Sequence, residues 1–250
     1  MNKKIIFAGL FGILASGFVF GIVVFATQRP GVAAGNPKSA ERELISLEPT
    51  AIAVSGASSA GSAETEAFQA LFSAQTDSHS VIHEVKPGDN LTLIGKKYNT
   101  TVDLLKRINH LSSDRLMPGM ALKVPTYKFG AVVDKSQNIL ILKGDEEVLK
   151  IYVVSTGTDN STPAGIFKVT EKLVNPTWYK AGAVVPYGSP ENVLGTRWLG
   201  ISKQGYGIHG TTEPEKLGQQ VTAGCIRMKN EEVEEIYAFL VPGSEVTVVD

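Results

Sequence analysis

The run "VTAGCIRMKN", residues 221–230, holds the single cysteine of this 250-residue chain, Cys225. A thiol attacks carbon only as the thiolate. With a free pKa of about 8.5 it is mostly protonated at neutral pH and needs a base or a nearby cation. His209, sixteen residues upstream in "GIHG", can serve as either. Gly224 lets the backbone approach closely and point N–H groups at one spot, as an oxyanion requires. Arg227 can grip a carboxylate through two parallel hydrogen bonds. Each residue also has a plainer reading. Cys225 can be a buried, inert apolar residue, His209 a core histidine with satisfied nitrogens, and Arg227 a solvated strand residue. A Cys/His pair alone does not decide between these readings. The four histidines, at positions 79, 83, 110 and 209, make no metal-ligand spacing with one cysteine, so no metal is expected, and nothing in these residues calls for an organic cofactor.

One cysteine cannot staple a fold, and in an oxidising compartment a spare thiol is a liability. The N-terminus points to such a compartment. Residues 5–26 carry no charge and follow Lys3 and Lys4. As a helix they would span about 33 Å, close to the thickness of a bilayer core, with the short N-terminus on the cytoplasmic side. The run is longer than the apolar region of a cleaved signal peptide, although "VAAG" at 32–35 offers small residues for cleavage. An uncleaved anchor over residues 1–26 is the expectation, with the rest of the chain outside the cytoplasm. Residues 27–80 are rich in Ala, Ser and Gly and read as a flexible linker with a reach of roughly 40 Å. Within it "ETEAFQALF" has the pattern of a helical turn or two, with too few apolar residues to build a core.

Lys and Arg total 24 against 25 Asp and Glu, which gives no overall pull toward nucleic acid. Residues 81–125 read as strand, helix, helix, strand. "VIHEV" alternates, Asp89 or Asn90 can cap the first helix, Thr100 or Thr101 the second, and "ALKVP" returns as a strand. From residue 126 the pattern turns to strands. "FGAVVDKSQNILILKGDEEVLKIYVVSTG" gives three with hairpin loops, and "AGIFKVTEK", "RWLGIS", "GYGIHG" and "SEVTVV" follow. "NEEVEEIYAFL" is the one clear helix, with Asn230 as its cap.

Two family resemblances rest on these stretches. "VKPGDNLTLIGKKY", "LLKRINHL" and "LMPGMALKVP" resemble LysM modules, which implies a βααβ fold that binds N-acetylglucosamine-containing glycans, with its groove in the loops after Pro87 and around Asn109. "IHGT" followed by "GCIRM" resembles the YkuD-type L,D-transpeptidase catalytic domain, and "TPAGIFKVTEK", "NPTW" and "GSPENVLGTRWLGIS" agree in order. That resemblance implies Cys225 as nucleophile, His209 as general base, Gly224 at the oxyanion site and Arg227 as the polar, substrate-binding position. Many members place a histidine before the Gly-Cys pair; here Ala223 stands there, so the group that orients His209 must be a backbone carbonyl or water. The implied architecture is multidomain. A transmembrane helix (1–26) and a linker (27–80) precede a LysM domain (81–125) and a mostly-β catalytic domain with one clear helix (126–250). The implied activity is 3→3 crosslinking of peptidoglycan stem peptides through a cysteine thioester, with the LysM module on the glycan strands. L,D-carboxypeptidase action, attachment of a protein to the wall, or a catalytically dead wall anchor are the alternatives. The implied location is the cell envelope.

Overall fold

The computed structural model of the chain describes residues 63–180 and 182–250. The uncharged run 5–26 lies outside the described residues; among those described, no helix is long and apolar enough to cross a membrane. The linker expectation needs correction over its last part. Residues Ala63–Glu64 form strand β1 and Glu66–Phe72 helix α1, whose N-cap Thr65 accepts the Phe68 N–H. Seven residues are too few for a helix to stand alone in water. This one is stabilised by packing: Phe68 and Leu71 are buried, and the Phe68 ring lies 5.7 Å from that of Phe239. The segment builds no core of its own. It completes one that the rest of the chain supplies.

The LysM-like unit comprises β2 (Ser80–Glu84), α2 (Leu91–Tyr98), α3 (Val102–Ile108) and β3 (Ala121–Pro125), with β2 antiparallel to β3. Of the alternative caps, Asn90 and Thr101 are used, accepting from Leu93 and Leu104 N–H. Asp89 instead accepts from Lys86 N–H and bonds the His83 ring, each at 2.9 Å. Asn99, left-handed at φ 52°, turns α2 into α3. There a Cβ on Gly95 would sit 2.8 Å from the Thr100 carbonyl, so only glycine fits. Leu91, Ile94, Leu105, Leu122 and Val124 form the unit's own core. Leu104 and Ile108 of α3 pack into the larger neighbouring core. Asn109, in the expected groove region, is structural: its amide donates to the Leu105 and Lys123 carbonyls. The buried Lys123 ammonium donates in turn to the carbonyls of Ala70, Ser73 and Gln75, which terminates α1.

The remaining chain forms β4 (Phe129–Asp134), β5 (Ile139–Gly144), β6 (Glu147–Val153), β7 (Thr156–Gly157), β8 (Gly165–Val174), β9 (Trp178–Lys180), β10 (Ala183–Val185), β11 (Arg197–Ile201), β12 (Gly207–His209), β13 (Gln220–Thr222), β14 (Ile226–Arg227), α4 (Asn230–Phe239) and β15 (Glu245–Val249). The three expected hairpin strands are β4, β5 and β6, antiparallel in order. One nine-stranded sheet runs β1-β6-β5-β4-β15-β8-β11-β12-β14. Inward residues from both of its ends, such as Leu140, Tyr152, Leu199 and Ile208, share one core with α4, α1 and α3. Two corrections concern α4. Its N-cap is Lys229, and Asn230 is the first helical residue. The Asn230 amide is spent elsewhere, on the backbone at Thr196 and Thr211.

Phe68 therefore joins three segments distant in sequence. Phe68→Ala is expected to cost about 3–5 kcal/mol. Denaturant unfolding followed by LysM-side and catalytic-side probes checks this, with both probes shifting together.

Candidate active site

β12 is three residues long and lies between β11, antiparallel, and β14, parallel. In register, Trp198 pairs with His209 and His209 with Arg227, while Leu199 pairs with Ile208 and Ile208 with Ile226. Side chains alternate across a sheet, so each row occupies one face. The Leu199–Ile208–Ile226 row is fully buried against the core below. The Trp198–His209–Arg227 row is the other face, and it holds two of the residues singled out in the sequence, His209 and Arg227. Extending the β14 ladder by one residue puts Cys225 beside Gly207, two residues before His209 on the same face. Strand spacing and rise then separate the Cys225 and His209 Cα atoms by about 8 Å, within reach of two inward side chains. The Cys225 Sγ donates toward the Gly205 carbonyl at 3.7 Å.

His209 is buried, with Nδ1 2.6 Å from the Gly210 carbonyl. A carbonyl only accepts, so Nδ1 carries the proton and Nε2 presents its lone pair. The orienting partner that the sequence left unnamed is this Gly210 oxygen. Burial holds the imidazole down at about 4, with the Arg227 charge adding to the effect against the opposing Gly210 bond. Burial pushes the Cys225 thiol above its ordinary value, against the pull of a Gly207 backbone bond and of Arg227. The resting pair is therefore neutral thiol and neutral imidazole. Of the two roles open to His209, base and counter-charge, the electrostatics favour the base.

Gly224 has φ +124°, and a Cβ there would lie 2.6 Å from the Tyr206 ring, so both conformation and space require glycine. Its N–H is already donated to the Thr222 hydroxyl at 3.1 Å, and that hydroxyl donates to the Cys225 carbonyl at 2.7 Å. Gly224 thus shapes the turn that carries the thiol, while its own N–H is committed to Thr222.

Arg227 is not solvated. It is 7% exposed, and its Nη1 donates to Glu213 at 3.1 Å. Its Nε is buried and has no hydrogen-bond partner among the described residues. Asn230, read from the sequence as a cap, anchors the site from behind: its Oδ1 accepts from the Thr196 and Thr211 N–H groups, which flank β11 and β12. A Cβ on either Gly195 or Gly210 would lie 2.2 Å from that oxygen. Those two glycines were the available sequence signal for it.

A cleft of about 320 Å³ opens on the thiol and is lined by Glu171, Trp178, Tyr179, Leu194, Trp198 and Cys225 among others. A larger groove of about 710 Å³, between Asn99 and the β4–β15 surface, contains none of the Cys225 constellation. The other histidines stand apart from the thiol: His79 stacks on Tyr127, and His83 bonds Asp89 and Tyr98.

Residues 128–248 match the sequence profile of the L,D-transpeptidase catalytic domain (YkuD), and residues 83–125 that of the LysM domain. The putative L,D-transpeptidase YqjB of Bacillus subtilis is 42% identical over 125 residues, covering 48% of this chain and 70% of the relative. The putative L,D-transpeptidase YkuD of the same organism is 31% identical over 173 residues, covering 66% of this chain and 97% of the relative. A protein of the same name from Bacillus licheniformis is 30% identical over 176 residues, covering 67% and 98%.

The buried imidazole sets a pH signature. Protonation is disfavoured in the folded state, so the basic form persists as pH falls below the ordinary 6.5 and is lost only near 4. The kcat/KM for acylation of Cys225 should stay level from pH 8 to 5 and fall with a midpoint near 4. The unfolded chain takes up this proton near 6.5, so the same group withdraws stability as pH falls from 6.5 to about 4. A kinetic midpoint near 6.5 would mean a solvated histidine.

Proposed function

The chain belongs to the YkuD family of L,D-transpeptidases, and from that premise we propose that it crosslinks peptidoglycan stem peptides through a thioester on Cys225 while its LysM module holds the wall. The observation that carries this reading is the β12–β14 register, which sets a fixed-tautomer His209 diagonally beside a half-buried lone thiol.

In the proposed cycle, Nε2 of His209 takes the Cys225 proton as Sγ attacks the carbonyl that precedes the terminal D-residue of a donor stem. The carbonyl π electrons move to oxygen and return as the C–N bond breaks. The leaving amine receives the proton from His209 and departs as the free D-amino acid. A stem-peptide amine then adds to the thioester carbonyl and gives a proton to His209; the C–S bond breaks, and the thiol is reprotonated. The product is an amide between two stems, and no metal or organic cofactor takes part. Arg227, on the same sheet face as Cys225 and His209, is the proposed partner of a substrate carboxylate. Gly224 acts through its backbone conformation, which aims the Cys225 peptide at the reacting oxygen.

The module and the catalytic domain act outside the cytoplasm, where their substrate lies. The uncharged run 5–26 serves in this proposal as the membrane tether; its support is sequence alone, two lysines followed by 22 uncharged residues.

Purified protein incubated with a tetrapeptide muropeptide and read by mass spectrometry should yield crosslinked dimer, and Cys225→Ala should yield none while keeping its fold. Tripeptide alone would make the enzyme an L,D-carboxypeptidase, and no product at all would make it a wall anchor.

Arg227→Lys keeps the charge and loses the fork. Its kcat/KM should fall by about 30-fold or more, on the order of 2 kcal/mol. Unchanged kinetics would return Arg227 to a purely structural pairing with Glu213.

A further inference from the structure

Glu171 on β8 stands directly opposite Gly200 on β11, and Gly200 stands opposite Gly207 on β12. With Cys225 beside Gly207, one row crosses four strands on the catalytic face: Glu171, Gly200, Gly207, Cys225. Its two middle positions have no side chains. The Trp198 indole occupies the room they leave: a Cβ on Gly207 would lie 2.7 Å from Trp198 Cζ2, and one on Gly200 3.0 Å from Nε1. The Glu171 carboxylate reaches the same place, with Oε2 3.6 Å from that point on Gly200. Three strand spacings separate the ends of the row by about 14 Å at Cα. Both end side chains line the same cleft.

Glu171 is the one charged residue in the cleft lining, whose other walls are largely apolar and include three aromatic residues, Trp178, Tyr179 and Trp198. None of the ion pairs among the described residues engages Glu171. The Trp178 ring already carries a cation, the Lys180 ammonium at 4.8 Å from its centroid. A single free carboxylate among aromatic faces is the complement of a primary ammonium on a short aliphatic stem, and selects against a carboxylate or an uncharged amide.

We propose that Glu171 is a specificity residue of this enzyme, binding the primary ammonium of a stem-peptide side chain while Cys225 works at the other end of the glycine-floored cleft. The inference rests on the transpeptidase reading above. The ammonium is that of the donor stem that acylates Cys225, because the acceptor's own amine must reach the thioester carbonyl and cannot stay on Glu171 as it does so.

The experiment uses the full chain, wild type and Glu171→Gln, with tetrapeptide stems whose side-chain amine is free or acetylated. In the donor arm, single-turnover formation of the acyl-enzyme is followed by mass against peptide concentration. In the acceptor arm, preformed acyl-enzyme is partitioned between crosslink and hydrolysis against acceptor concentration. Glu171→Gln is expected to raise the half-saturating concentration of a free-amine peptide about tenfold in the donor arm, the size of one charge-assisted hydrogen bond, with little change in limiting rate. A shift confined to the acceptor arm overturns the assignment. The acetylated donor should bind wild type and variant alike. Alkylation of Cys225 by iodoacetamide should be the same in both proteins, which separates lost recognition from a damaged site. Unchanged half-saturation in both arms, or an equal loss for free and acetylated donors, overturns the Glu171 assignment and leaves the transpeptidase reading standing. A wild type that forms no acyl-enzyme overturns both.

Discussion

Everything at the catalytic centre depends on a parallel pairing only two residues long, Ile208 with Ile226 and His209 with Arg227. Short parallel ladders are weak on their own. This one is held from beneath, because Ile208, Ile226 and Met228 are fully buried. It is extended by the Met228 N–H to the His209 carbonyl, and the far side of β14 is held by the Arg227–Ser155 backbone pair. A slip of one residue would send His209 into the core and Ile208 into the cleft. The apolar rows therefore set the register, and the polar rows inherit it. Asn230 adds a second lock, tying the segments that flank β11 and β12 to the start of α4 through the space that Gly195 and Gly210 leave open.

The register also explains how an enzyme can carry a lone thiol outside the cytoplasm. Burial raises the thiol and lowers the imidazole, so proton transfer between them is unfavourable at rest. Oxidants react with thiolate rather than thiol, and the resting site holds little thiolate. The Gly210 carbonyl keeps the lone pair of His209 on Nε2. Arg227 pulls in both directions, favouring the thiolate and opposing an imidazolium, while Glu213 offsets part of its charge. A carbonyl arriving in the cleft supplies what the resting site lacks, an acceptor for the sulfur electrons as the proton leaves.

Local chemistry was legible in the sequence, and long-range register was not. Cys225, His209 and Arg227 are candidates by residue type, singled out by the resemblance of the motifs around them, and both βααβ unit and hairpin strands follow from alternation and caps. Asn230 was misread because Asn before a helical run is a strong capping signal, and nothing nearby shows its amide reaching across to Thr196. Glu171 lies 54 residues before Cys225; only the ladder through Gly200 and Gly207 brings the two together. The helical turns of α1 were legible too, but its docking was not, for a related reason. Its seven residues carry just enough apolar surface to dock, and the site of docking, Phe239 with Leu104 and Ile108, is contributed by two other segments.

That docking changes how the LysM module relates to the chemistry. A unit of this size buries little core, and this one shares Leu104 and Ile108 with the catalytic domain. Thr101 donates its hydroxyl to the Ala238 carbonyl at the end of α4, and Lys123 seats α1 against the module. Between β3 and β4 only residues 126–128 intervene, and they are pinned by the Thr126 N–H to the His79 carbonyl and by the Tyr127–His79 stack. A flexible tether would let the cleft search a volume around a bound glycan, with effective concentration set by tether length. A shared core removes that search. The module is packed on the α4 side, whereas the cleft lies on the opposite face of β11 and β12. Any stem that reaches Cys225 while the module grips a strand must therefore stand at a fixed offset from that strand, so wall binding and crosslinking geometry are set by one and the same set of buried side chains.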